Sequence, residues 1–270
     1  MRVKEKINFL KKNFLENWYP KILAEFKYDP VLDLEAAKLL GGMLTNPALV
    51  IKKFKSKITG RLILIVAPGP SLGISLNKLK PLLEDLKRKL MIIAVDGALT
   101  ALIENKLNPH ILVTDLDGFK LEFLNQVQRG LIAVHAHGDN IDKIKNYPTR
   151  LLSRTLGTCQ VDFNKNILNI GGFTDGDRAV CLCECFEAGT VFLLGMDFGY
   201  TVGSYSKPHL NRAVKASLVK RRKMVYAMNI IKELVFNSDI KYYCLLQSSE
   251  LDSIPVMKME EFNNYIKDYY

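Results

Sequence analysis

From position 61 onward, apolar runs of four to seven residues alternate with longer stretches whose apolar positions recur at helical spacing. The runs read as buried strands and the longer stretches as amphipathic helices, so their alternation predicts a parallel sheet built from βαβ units. Strands are expected over 62–67, 91–95, 110–113, 131–134, 167–170, 190–194 and 241–245. Helices are expected over 74–89, 98–105, 120–128, 140–146, 177–187, 211–237 and 258–268. Residues 1–60 carry no strand pattern. There Phe9, Leu10, Phe14, Leu15 and Trp18 keep a helical period until Tyr19-Pro20 interrupts it, and further helices are expected over 32–40 and 48–54 around Gly41-Gly42. The expected class is α/β: a Rossmann-like, mostly parallel sheet flanked by helices. Its organisation is a helical N-terminal region over 1–60, a Rossmann-like domain over 61–205, and C-terminal helices and a strand over 206–270 that complete that domain.

Carboxylates recur where these strands end. Val95-Asp96-Gly97-Ala98 and Thr114-Asp115-Leu116-Asp117-Gly118 each follow an apolar run, as do His135-Ala136-His137-Gly138-Asp139, Gly171-Gly172-Phe173-Thr174-Asp175-Gly176-Asp177 and Gly195-Met196-Asp197. Ligands of an open parallel sheet bind outside the carboxyl ends of its strands, so these acids point into one crevice. Crowded carboxylates repel, and a divalent cation relieves the repulsion. Asp115 and Asp117 lie two apart in a segment read as extended, which turns both to one side and makes them the expected ligands of Mg²⁺. Turn formation before Gly118 is the plainer explanation of the pair. Asp175 and Asp177 open a helix, where capping accounts for one of them. A site role is expected for both, and for Asp197.

His135 and His137 are expected to line the site. With no cysteine nearby the pair is an incomplete zinc set, and Asp139 alternatively caps the next helix. Ala67-Pro68-Gly69-Pro70-Ser71-Leu72-Gly73 closes the first strand and opens a helix, a place suited to phosphate, although it matches neither Gly-x-Gly-x-x-Gly nor a Walker A sequence. Lys215, Lys220, Arg221, Arg222 and Lys223 fall on one long predicted helix, where cations either neutralise a polyphosphate or form a solvated face.

Composition narrows the classes. The 270 residues are 48% hydrophobic and 24% charged, ordinary for a globular chain. No apolar run reaches the length of a membrane span, and the N-terminus lacks the apolar stretch of a secretory signal, so a cytoplasmic location is expected. The five cysteines are an odd number, and Cys181, Cys183 and Cys185 alternate in a way that shares no helical face. They read as core rather than as disulfides or a metal site. A net charge of +10 admits a nucleic-acid partner, yet the clustered acids would repel a phosphate backbone. Neither nucleic acid nor membrane is therefore an expected partner, and a homo-oligomer is left open.

Taken together, the motifs Gly69-Pro70-Ser71, Asp96-Gly97-Ala98, Asp115-Leu116-Asp117-Gly118, His135 to Asp139, Gly171 to Ala179 and Gly195-Met196-Asp197 resemble the archaeal 6-hydroxymethyl-7,8-dihydropterin pyrophosphokinase family, itself distantly similar to thiamine pyrophosphokinases. The resemblance spans residues 67–199. In the thiamine enzymes comparable acids organise Mg²⁺; here Gly118 stands in place of their serine, and the His135–Asp139 segment has no counterpart.

What the resemblance implies is transfer of diphosphate from ATP to the hydroxymethyl group of a reduced pterin, releasing AMP, in tetrahydromethanopterin or folate biosynthesis. Asp115 and Asp117 would hold metal. Asp96, Asp175, Asp177 and His137 would be catalytic. Gly69, Pro70, Ser71, His135, Asp197, Lys220 and Lys223 would bind the nucleotide. A related transferase acting on thiamine or a sugar, and a basic nucleic-acid-binding protein, are the alternatives.

Overall fold

The computed structural model describes residues 3–86, 89–127, 129–246 and 250–269. The ends of the helices expected over 74–89 and 120–128 run into residues 87, 88 and 128, which lie outside the described residues. Along the chain the strands are β1 (Leu62–Val66), β2 (Leu90–Val95), β3 (Ile111–Thr114), β4 (Leu131–Ala136), β5 (Thr155–Cys159), β6 (Ile167–Leu168), β7 (Thr190–Leu194), β8 (Thr201–Val202), β9 (Val214–Lys215), β10 (Lys241–Leu245) and β11 (Val256–Met257). The helices are α1 (Val3–Asn13), α2 (Tyr19–Phe26), α3 (Pro30–Met43), α4 (Pro47–Ile58), α5 (Leu72–Leu86), α6 (Ala98–Glu104), α7 (Ile141–Lys145), α8 (Asp175–Cys185), α9 (Leu218–Phe236) and α10 (Met259–Tyr269).

Every residue of β1 is apolar and buried, the mark of a strand covered on both faces. Nine strands form one sheet in the order β11-β10-β7-β1-β2-β3-β4-β5-β6, and each neighbouring pair is parallel. All their carboxyl ends therefore open on one edge. The chain runs outward from β1 through β6, then returns to the other flank of β1 as β7. That reversal is where loops diverge and leave a crevice. The fold is the α/β class read from the sequence.

Alternate side chains of β1 feed two cores, one on each face of the sheet. Leu62, Leu64 and Val66 join the first; Ile63 and Ile65 join the second. The N-terminal helices supply both: α3 gives Ala36, Ala37 and Leu40 to the first, and α4 gives Val50, Phe54 and Ile58 to the second. The cysteines are buried in these cores, three of them along α8.

Four local expectations are corrected. Residues 155–159 form a strand that the threonines and glycine of Thr-Leu-Gly-Thr-Cys disguised. The helix expected over 211–237 starts only at Leu218, because Val214–Lys215 pairs antiparallel with Thr201–Val202 and Ser217 then caps α9 by accepting from the Lys220 N–H. Lys215 thus lies on a strand. The segment Leu121–Gln126 is a 3₁₀ turn rather than an α-helix, and α8 begins at Asp175, two residues earlier than expected. Among the described residues no helix is long and apolar enough to cross a membrane.

Candidate active site

Asp96, Asp115 and Asp117 converge at the ends of β2 and β3, each offering an oxygen within 4.8 Å of the others. Their meeting depends on two turns. Leu116 adopts a left-handed φ of 71° while its side chain stays buried, and its N–H donates to Thr114 Oγ1 at 2.7 Å. The expected extended segment is therefore a tight turn, and it is the turn that brings Asp117 back beside Asp115, whose Oδ1 accepts the Asp117 N–H at 3.2 Å. Asp96 is itself left-handed, at φ 43°. Its Oδ1 accepts from Thr114 Oγ1 at 2.8 Å and from the Gly118 N–H at 3.1 Å. A Cβ at Gly118 would lie 1.9 Å from Asp96 Oδ2, so only glycine fits against this carboxylate.

Burial, and then the negative charges of Asp115, Asp175 and Asp117, push the Asp96 carboxyl well above its ordinary range. Burial acts upward on Asp115 too, but the His137 hydrogen bond and the Lys207 charge outweigh it and hold the group ionised. The pair thus shares its proton unequally, with Asp96 the protonated partner.

Asp175, the first residue of α8, accepts the Asp115 N–H at 3.3 Å and Arg178 Nη1 at 2.9 Å. Burial and the Asp115 charge raise it to about 7, against the pull of Arg178. Arg178 is buried, its Nη2 donates to Phe173 O at 3.2 Å, and its Nε has no hydrogen-bond partner among the described residues. Nothing in the spacing announced this guanidinium as part of the site, although it lies three residues after Asp175 and hence on the same helical face.

Asp177 faces away. It is fully buried and accepts from the Phe173 N–H, the Thr174 N–H and Thr174 Oγ1. Its carboxylate is committed to the α8 capping box and does not line the cavity.

The two histidines do different work, and neither lines the cavity. His137 caps the short turn Gly138–Asn140, its Nδ1 accepting the Asp139 N–H at 3.3 Å. That leaves the proton on Nε2, 3.5 Å from Asp115 Oδ2, so the imidazole holds this carboxylate in place. Asp139, the expected cap, is exposed. His135 is buried beneath, with Nδ1 3.1 Å from Thr158 Oγ1 and Nε2 without a hydrogen-bond partner among the described residues. Burial and then the Arg178 charge keep it neutral by lowering its affinity for a proton.

Two supports were invisible in the sequence because their partners are distant in the chain. Asn140 donates to Asp115 O at 2.9 Å and His135 O at 2.6 Å, tying β3 to β4. Buried Asp33 of α3 accepts from the Gly138 N–H, Gln160 and Tyr19, joining the N-terminal helices to the same strand ends.

The Gly69-Pro70-Ser71 turn offers phosphate nothing from its backbone. Pro68 and Pro70 lack N–H groups, the Gly69 N–H donates to Gly195 O at 2.9 Å, and the Ser71 N–H and Oγ both donate to Asp197, at 2.9 and 3.0 Å. The Leu72 N–H donates to Gly69 O at 3.1 Å. Asp197 is therefore the anchor of this turn, stitching the loop after β1 to the loop after β7.

Between these loops and the acids lies a cavity of about 340 Å³. Asp96, Asp115, Asp117, Asp175 and Arg178 line it, together with the apolar Met196, Phe198, Val202, Val219 and Met224. Lys207, Lys220 and Lys223 supply positive charge. Burial and the charges of Lys207 and Lys223 lower the Lys220 ammonium's hold on its proton. Lys223 Nζ sits 5.2 Å from the Tyr28 ring centroid, with Phe26 and Phe173 at 5.9 and 5.8 Å, a cation–π arrangement that fixes its direction. Lys207, absent from the sequence reading, pairs with Asp117.

Fold and site together define an α/β enzyme with an acidic cleft at the carboxyl edge of a parallel sheet. A family model described as "6-hydroxymethylpterin diphosphokinase MptE-like" matches residues 40–203. A protein of Methanocaldococcus jannaschii named 6-hydroxymethyl-7,8-dihydropterin pyrophosphokinase is 39% identical, over 84% of this chain and 97% of its own length. Proteins of the same name from Methanothermobacter thermautotrophicus and Pyrococcus furiosus are 37% and 36% identical, over 83% and 84% of this chain and 95% and 96% of their own lengths. Among solved structures, the MAf glycosyltransferase of Magnetospirillum magneticum AMB-1 aligns with a TM-score of 0.45 at 11% identity, over 83% of this chain and 37% of that one. The chain belongs to the MptE-like 6-hydroxymethylpterin diphosphokinase family and is a transferase of the pyrophosphokinase kind.

Proposed function

We propose that the chain moves the β,γ-diphosphate of ATP onto the hydroxymethyl oxygen of 6-hydroxymethyl-7,8-dihydropterin, with Mg²⁺ and with release of AMP. The observation that carries this reading is the carboxylate trio facing three lysines in one cavity, in a chain whose relatives bear the pyrophosphokinase name. The trio suits a hard cation, since its donors are all carboxylate oxygens, and after burial their mutual repulsion adds to the rise of Asp96. Bound there, Mg²⁺ would neutralise charge on the phosphate oxygens.

The remaining work falls to the chain. Asp115 and Asp117, with Asp96 beside them, are the assigned ligands, and His137 orients Asp115. Lys220 and Lys223 take the nucleotide phosphates in place of the committed backbone of the Gly69 turn. The hydroxyl oxygen attacks the β-phosphorus in line as the bond to the α,β-bridging oxygen breaks, and that electron pair leaves on AMP. Asp175, poised near neutrality, takes the hydroxyl proton. The five buried thiols suit a reducing compartment, and the cytoplasm is where we place the reaction.

The test is AMP release from ATP and the pterin, with and without Mg²⁺. AMP that requires both supports the reading. ADP overturns diphosphoryl transfer, and AMP with thiamine in place of pterin moves the acceptor while keeping the reaction.

A further inference from the structure

Lys207 stands in the loop that joins β8 to β9, directly after a segment pinned at its base. Ser206 Oγ donates to Pro68 O at 2.8 Å, and Tyr205 OH donates to Glu104 at 2.7 Å. Gly203 packs so closely that a Cβ would lie 2.5 Å from Pro68 O. Beyond Lys207 the ribbon tip is largely exposed, Pro208, His209, Asn211 and Arg212 among it. The anchored base aims the Lys207 side chain into the cavity, where its ammonium pairs with Asp117.

Asp117 thereby has two competing partners. It belongs to the trio suited to a divalent cation, and it already holds a side-chain cation. Two positive charges on one carboxylate repel at short range in a partly desolvated site. A cation entering the trio drives the ammonium off, and the ammonium then needs another anion within reach of its tether. The polyphosphate placed in this cavity supplies one.

We propose that Lys207 is a diphosphate-binding residue that occupies Asp117 until metal and nucleotide arrive together, then passes its ammonium to the diphosphate being transferred. The proposal rests on the metal and nucleotide reading above. It makes the metal alone a weak ligand and the metal–nucleotide complex a strong one, because only the complex gives Lys207 a new partner.

The experiment uses the full chain, with Mn²⁺ as the probe of the cation site. Mn²⁺ binding without nucleotide is followed by electron paramagnetic resonance in wild type, Lys207→Ala, Lys207→Arg and Asp115→Asn. Turnover with Mg²⁺ and ATP is measured in parallel. Lys207→Ala is expected to bind Mn²⁺ about tenfold more tightly, the effect of removing one nearby charge, and to turn over about a hundredfold more slowly, the usual loss for a transition-state donor. Lys207→Arg is expected to stay near wild type in both. Equal Mn²⁺ affinity in wild type and Lys207→Ala, with binding lost in Asp115→Asn, overturns the Lys207 role and leaves the metal site standing. Tighter Mn²⁺ with unimpaired turnover also overturns it, reducing Lys207 to a counterion. No Mn²⁺ binding by wild type and none by Lys207→Ala, in which the competing ammonium is gone, overturns this proposal and the metal reading together.

Discussion

Asp115-Leu116-Asp117 and Asp175-Gly176-Asp177 share one spacing and do different things. After β3, the left-handed Leu116 folds the chain so that both carboxylates reach the cavity. At the start of α8 the helix leaves N–H groups without intrahelical partners; Asp177 turns inward to accept from two backbone N–H groups and a hydroxyl, and only Asp175 faces the cavity. The lesson is that nearby donors, rather than spacing, decide where an acid points. A strand end followed by a tight turn leaves both carboxylates facing the cavity, whereas a helix start turns one away.

Substitutions in the two pairs break or sharpen this contrast. The largest effect is expected from Asp115→Asn, with turnover down about a thousandfold and an unchanged circular dichroism spectrum, measured as AMP release. Wild-type turnover there would end the distinction between the pairs. Asp177→Ala is expected to act on stability, costing about 3 kcal/mol because it strands buried donors, and lowering Tm in a thermal melt. Its kcat at a temperature where it is folded should stay within a few-fold of wild type.

A gentler probe is pH. Asp175 is raised to about 7, and Asp96 moves the same way, so both bind protons in the native state that the unfolded chain has released above pH 4. Native protons in excess make stability fall as pH rises. The metal-free Tm should therefore decline from about pH 4 to pH 7, and Asp96→Asn should flatten part of the slope. The smallest effect belongs to exposed Asp139: Asp139→Ala should change stability by no more than about 0.5 kcal/mol and leave turnover intact, since the cap is His137.

The sheet was legible in the sequence wherever strands are apolar runs, as in β1, β2 and β7. It was not legible in β5, whose Thr155, Gly157 and Thr158 dilute the hydrophobic signal, and the separate β8–β9 ribbon is built of strands too short to show a period. Of the candidate site, Asp96, Asp115, Asp117 and Asp175 lie together at the cavity, because position after a strand is a local signal. Asp177 and Asp197 read the same locally, yet backbone and hydroxyl donors claim them. Lys207, Asn140 and Asp33 escaped notice since their partners are set by how distant segments meet, which no spacing records.

The sheet narrows at both margins. β6 and β11 pair through two residues each, while the strands between them pair through three to five. A long flat margin is an invitation for another chain to add a strand. With so little backbone exposed for pairing at either rim, the folded protein resists edge-to-edge association at high concentration, and aggregation begins from molecules that have first opened their sheet.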